Sequence, residues 1–266
     1  MGTRRLGGAL AVLIALSCAA TGCSASSPGS KASPSTRASG AQRTWSIVAL
    51  GDSVPRGTNC DCQPYPPLTA EGLTASSGRT VTATNDSVAG FTTANVLEQL
   101  KSDGNVISHV RTADAVEIEI GANDVAYSNS CGTVVACYAP QIPAVKKNLA
   151  AIVHRVRHLT SGRKALVVLL DYWSVWLGGQ YATAMGEAYV AAAKKVTDEV
   201  NDVIKSTAAR SGSAYVDLRA AFKGPNYDYD ETHYLSNDGD HPNAAGQQLI
   251  ASATEAVIGS ERKTIR

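Results

Sequence analysis

An α/β domain built on a parallel sheet is the fold class predicted for this 266-residue chain, on three observations. Strand-like and helix-like segments alternate along it, Val167-Val-Leu-Leu170 is apolar at every position, and polar residues able to do chemistry cluster just after the strand-like runs. Alternation of this kind calls for a sheet covered by helices, and an uninterrupted apolar run suits a strand buried on both sides.

The strand-like runs occupy 45–50 (Trp-Ser-Ile-Val-Ala-Leu), 79–84 (Arg-Thr-Val-Thr-Ala-Thr), 114–120 (Asp-Ala-Val-Glu-Ile-Glu-Ile), 164–170 and 213–217. Helical patterns lie between them at about 65–77, 91–102, 141–159 and 181–210, with a last one at 243–258. Five βα units give a three-layer α/β/α sandwich with a five-stranded parallel sheet, for which the flavodoxin-like arrangement is the simplest.

The N-terminus has a different composition. Residues 1–22 read as an export signal peptide: Arg4 and Arg5 form its positive end, Leu6 to Leu16 its apolar core, and small residues precede Cys23. That core is too short to span a bilayer, since eleven residues at helical rise reach about 16 Å where about 20 residues are needed. Ala20-Thr-Gly-Cys23 resembles the lipobox of bacterial lipoproteins, with Ala20 where a larger aliphatic residue is usual, so lipidation at Cys23 is the expectation and simple secretion the alternative. Thr3-Arg-Arg5 half-resembles a twin-arginine signal. Residues 23–43, rich in Ser, Ala, Gly and Pro, read as a flexible tether, and 44–266 as one folded domain, long enough to bury about three quarters of its chain surface. The expected location is extracellular, or lipid-anchored at the cell surface of a bacterium.

A net charge of +1 with scattered Lys and Arg gives no footprint for nucleic acid. Four cysteines follow the leader, Cys60, Cys62, Cys131 and Cys137. In an oxidising compartment an even number favours disulfides over metal. Three connectivities are open, of which local pairing, Cys60 with Cys62 and Cys131 with Cys137, is preferred.

Ligands of such folds bind outside the carboxyl ends of the strands. The segments there are Gly51-Asp-Ser53, Asn85-Asp-Ser-Val-Ala-Gly90, Gly121-Ala-Asn-Asp124, Asp171-Tyr-Trp173 and the later loop Asn237-Asp-Gly-Asp-His-Pro-Asn243. A hydrolytic site needs a nucleophile, a base, a carboxylate that orients the base, and donors for an oxyanion. Ser53, His241, Asp238 or Asp240, and Gly90 with Asn123 supply candidates for each.

Four blocks, Gly51-Asp-Ser53, Gly90 in a Ser-Val-Ala-Gly context, Gly121-Ala-Asn-Asp124 and Asp238-Gly-Asp-His241, in this order and spread from residue 51 to about 246, resemble the SGNH hydrolases, also called GDSL-type esterases and lipases. The resemblance implies Ser53 as nucleophile, with its own backbone N–H, that of Gly90 and the side chain of Asn123 as oxyanion donors. His241 is implied as base, then acid, and Asp238 as its orienting carboxylate through the Asp-x-x-His spacing. Asp240 is the local competitor, although a side chain adjacent to His241 usually points elsewhere. The motif here runs Gly-Asp-Ser-Val rather than Gly-Asp-Ser-Leu, a change outside the catalytic groups, and no G-x-S-x-G elbow is present. No metal or cofactor is implied.

The expected activity is hydrolysis of carboxylic esters, with small or short-chain acyl esters or acetylated glycans preferred among small-molecule, lipid and glycan substrates. A membrane enters only through the lipid anchor. The alternative is a non-catalytic glycan- or lipid-binding surface lipoprotein on the same fold. Tyr172, Trp173 and Trp176 are candidates for an apolar substrate wall, with core packing an equal alternative. The segment 125–139 is a candidate wall of a neighbouring cleft. His154 and His158 share a helix face but have interleaved arginines and no carboxylate, so a solvated face is expected. His233 is a rival base in an acidic loop read as solvated, and His109 shows nothing distinctive.

Overall fold

The computed structural model describes residues 43–264, so the signal peptide, Cys23 and nearly all of the tether lie outside the described residues. Arg43, read as the last tether residue, is engaged with the domain: its guanidinium donates two hydrogen bonds to the Asp114 carboxylate.

Five strands form one parallel sheet: β1 (Trp45–Gly51), β2 (Val81–Asn85), β3 (Ala115–Glu119), β4 (Leu166–Leu170) and β5 (Ala214–Val216). Their order is β2-β1-β3-β4-β5, with Ile47 opposite Ala115 and Val116 opposite Val167. The chain thus reverses direction of winding at β1 and β3, which opens a crevice at their carboxyl ends. One face carries α2 (Tyr65–Ser77) against α9 (Ala244–Thr264). The other carries α3 (Thr93–Ser102), α5 (Ile142–Leu159) and α7 (Glu187–Ser211) in a row. The remaining helices are short: α1 (Ser53–Arg56), α4 (Gly104–Thr112), α6 (Gly179–Ala184) and α8 (Leu218–Lys223).

The apolar run of β4 is buried from Val167 to Leu170, as a two-sided strand requires. Helix α5 buries Val145, Leu149, Ile152, Val153 and Val156, one stripe at helical spacing, and leaves its basic residues outward except Arg155, half-buried with its Nε–H donated to the Leu100 carbonyl at 3.1 Å. The predicted helix at 181–210 is two helices, α6 and α7, because Gly186 at φ +93° leaves the helical region between them. The helix predicted at 91–102 is followed by α4, which begins where Asp103 accepts the N–H groups of Asn105 and Val106.

β3 departs from an apolar strand. Glu117 and Glu119 are fully buried in it, and burial pushes both carboxyls well above the usual carboxylate range. Among the described residues no helix is long and apolar enough to cross a membrane, and no group of three or more His, Cys, Asp or Glu could hold a metal ion.

Candidate active site

The crevice begins at Gly51. A side chain there would collide with the Glu119 carbonyl, so the tight approach of β1 to β3 requires glycine. Asp52 follows as the cap of α1, accepting the Val54 N–H at 3.1 Å, and Ser53 is the first helical residue. Asp52 is buried, and its other oxygen accepts the Tyr172 hydroxyl at 2.6 Å. Burial lifts the Asp52 carboxyl to about 6, against the opposing pull of the Tyr172 and Val54 bonds.

Asp238 and His241 come from the loop before α9. His241 Nδ1 lies 2.7 Å from Asp238 Oδ2, while Asp240 Oδ2 is 4.0 Å from His241 Nε2. The loop is tightly braced: the backbone N–H groups of Asp240 and His241 both donate to Asp238 Oδ1 at 3.0 Å. Partial burial pulls the Asp238 carboxyl up, but the His241 N–H, the Asn59 amide, the His241 ring and the Asp240 N–H outweigh it and bring it down to about 2.

Asn59 was not legible as a site residue. Its amide donates to Asp238 Oδ2 at 2.6 Å across 179 positions, and its carbonyl accepts the Ser236 hydroxyl at 3.0 Å. Its backbone is left-handed, φ +58°, immediately before the Cys60–Cys62 disulfide. The loop that leaves Ser53 therefore returns to hold the acid that holds His241.

Asn123 sits in a short 3-10 turn at Ala122–Val125 and donates one amide hydrogen to the Phe91 carbonyl at 3.0 Å. Its neighbour Asp124 accepts the N–H and hydroxyl of Thr93 at 2.9 and 2.6 Å, which ties the start of α3 to this turn. These bonds at Phe91 and Thr93 fix the chain just after Gly90. Gly90 itself is exposed at φ +81°. Among the described residues the backbone N–H groups of Ser53 and Gly90 are spent on no hydrogen bond.

Ser53, Asn123 and His241 line one cavity of about 340 Å³, together with the predicted wall residues Tyr172, Trp173 and Trp176. Gly90 lies outside that lining. The three wall aromatics are both wall and core, each 1–2% exposed. Trp176 donates its indole N–H to the Val125 carbonyl at 2.8 Å and packs edge-on against Tyr127 and Tyr138. The segment 125–139, closed by the Cys131–Cys137 disulfide, is thereby seated on Trp176, and its Ala126 and Tyr127 reach the cavity. Both disulfides follow the local pairing.

The other candidates are elsewhere. His154 and His158 lie on α5, and His233 packs against Tyr234; none lines this cavity. His109 pairs with Asp86 at 2.9 Å, also outside it. The acidic loop is not wholly solvated, because Glu231 is buried against Lys223.

An α/β/α sandwich with a serine at the end of β1 and an Asp–His pair before the last helix, converging on one strand-end cavity, is the arrangement of an ester-hydrolysing serine hydrolase. Residues 49–249 match the model of the GDSL-like Lipase/Acylhydrolase family, and the chain belongs to that family. Solved structures share the fold. The lipase Lip_vut3 from a goat rumen metagenome is 21% identical with a TM-score of 0.64, over 80% of this chain and 97% of that one. A lipase/acylhydrolase from Enterococcus faecalis is 22% identical, TM-score 0.55, covering 82% and 96%. The acetylxylan esterase Axe2 from Geobacillus stearothermophilus is 19% identical, TM-score 0.57, covering 81% and 94%. No curated protein sequence matches the chain. The protein is thus an enzyme of ester hydrolysis.

Proposed function

We propose that this protein is an exported serine esterase that works through an acyl-enzyme on small or short-chain acyl esters or acetylated glycans. The observation that carries the mechanism is the 2.7 Å Asp238–His241 pair at the cavity lined also by Ser53. Asp238, held ionised, fixes the imidazole with Nδ1 toward itself and leaves Nε2 to take the Ser53 proton. Ser53 Oγ makes no hydrogen bond among the described residues, and such contacts commonly tighten only when substrate binds. Ser53 attacks the ester carbonyl, the alcohol leaves with the proton from His241, and water activated by His241 releases the acid.

The unspent N–H groups of Ser53 and Gly90 and the second amide hydrogen of Asn123 are the donors available to the tetrahedral oxyanion. A cavity of about 340 Å³ has room for a small acyl group. Export to the cell surface, with Cys23 as lipid anchor, rests on the sequence of residues 1–23 and on the cysteine pairs, which suit an oxidising compartment. A binding module would have no use for a serine beside an Asp–His pair. The test is hydrolysis of an acyl-chain-length ladder and of acetylated glycans by wild type and Ser53→Ala. Activity that falls with chain length and vanishes in Ser53→Ala is expected; full activity in purified Ser53→Ala would overturn the mechanism.

A further inference from the structure

A second cavity of about 320 Å³ adjoins the first and shares with it a wall of Trp173, Ser174 and Leu177. We propose that this second cavity binds the alcohol part of the ester, and that this part is an uncharged, hydroxyl-rich sugar unit. The inference rests on the esterase reading above and deepens it by naming the leaving group.

Charge excludes the first alternative, an anionic ligand. The three cations of the lining are already engaged: Lys194 and Arg219 on Asp198, and Lys223 on Glu231. Asp228 and Asp230 also line the cavity, so a phosphate or carboxylate would meet acids with no uncommitted cation to receive it. A long acyl chain fits no better, because it would desolvate these charged groups without replacing their hydrogen bonds. Hydroxyl groups suit them, donating to the carboxylates and accepting from N–H and O–H donors.

The aromatic surfaces point the same way. Tyr229 is 61% exposed, yet its ring lies on Gly224, where any side chain would collide with it, and its N–H donates to the Lys223 carbonyl at 2.9 Å. An exposed aromatic ring held this firmly offers a flat apolar face at little further entropic cost. Tyr227 is fixed by its hydroxyl bond to Asp217 at 2.9 Å and by Arg219 over its ring at 5.0 Å. Trp173 is stacked on Phe222 at 4.3 Å. Flat apolar faces beside polar groups match the two characters of a sugar ring. The wall also contains two buried donors, Trp173 Nε1 and Arg219 Nε, that have no acceptor among the described residues. Buried donors of this kind normally find a partner.

The test compares two acetyl esters, p-nitrophenyl acetate and an O-acetylated xylo-oligosaccharide, in wild type, Tyr229→Ala and Thr183→Trp. Tyr229 and Thr183 are exposed cavity residues outside the proposed catalytic groups, so neither variant disturbs the core. For the oligosaccharide, kcat/KM falls roughly three- to tenfold in Tyr229→Ala, and at least as much in Thr183→Trp, which fills the cavity. For p-nitrophenyl acetate it stays within about twofold. Unchanged oligosaccharide kinetics in both variants, equal losses on both esters, or a wild type active only on p-nitrophenyl acetate would each overturn this inference and leave the esterase standing. A wild type inactive on both esters would instead overturn the esterase reading.

Discussion

Removing the Tyr172 hydroxyl tests how the nucleophile turn is supported. In Tyr172→Phe, Asp52 Oδ2 loses the partner 2.6 Å away, and Asp52 is 1% exposed, so water does not replace it. The size of the loss depends on the charge of Asp52, whose carboxyl stands at about 6. Above that pH the lost bond is to a carboxylate and costs about 1.5–3 kcal/mol; below it the bond is neutral and costs about 0.5–1.5 kcal/mol. The same bond holds the Asp52 carboxyl down, so its removal raises further a value already above the ordinary 3.8. A group raised on folding contributes stability below its unfolded value and loses it as pH rises through its folded value. The deficit of Tyr172→Phe therefore grows by about 1 kcal/mol between about pH 4.5 and about pH 8. Urea unfolding of both proteins at the two pH values, at constant m, measures it. A deficit that is the same at both would refute an ionisable Asp52 supported by Tyr172.

Three further outcomes follow from the site. Asn123→Ala lowers kcat by on the order of 10² to 10³ in steady-state ester hydrolysis, with Tm little changed, if its amide meets the oxyanion. Asn59→Ala lowers kcat/KM about tenfold, the low end of a charge-assisted bond, and raises the Asp238 carboxyl from about 2. Because Asp238 is depressed on folding, its stabilising effect is present above about pH 4 and lost toward about pH 2, and the variant loses it at a higher pH than wild type in an acid-unfolding titration. Replacing Cys131 and Cys137 by alanine frees a seven-residue loop and costs about 2 kcal/mol by loop entropy, read as a lower Tm.

Much of the fold was readable because its signals are local. The helix at Tyr65–Ser77 and the buried run of β4 follow from spacing and from continuous apolar sequence. The division of α6 from α7 turned on a single glycine in a long helical pattern, and isolated glycines are tolerated inside helices often enough to carry little signal. Ser53 and Asn123 stood out because strand ends concentrate ligand-binding groups, and Asp238 and His241 because their loop carries the Asp-x-x-His spacing of the family resemblance. Asn59 did not, since its bond spans 179 positions and nothing near it in sequence specifies that reach. Glu117 and Glu119 alternate with Ile118 and Ile120 in a run read simply as a strand, and nothing local in the sequence marks two carboxyls as buried. Only the helices packed over both faces of β3 make them core residues.

The central claim is that Ser53 is the nucleophile activated by His241 and Asp238. Intact-mass and peptide-level mass spectrometry after exposure to a fluorophosphonate tests it directly. One adduct on Ser53 in wild type, none in folded Ser53→Ala and slow labelling in His241→Ala are the results expected. A folded wild-type protein that takes up no adduct, or takes it up at another residue, would contradict the account.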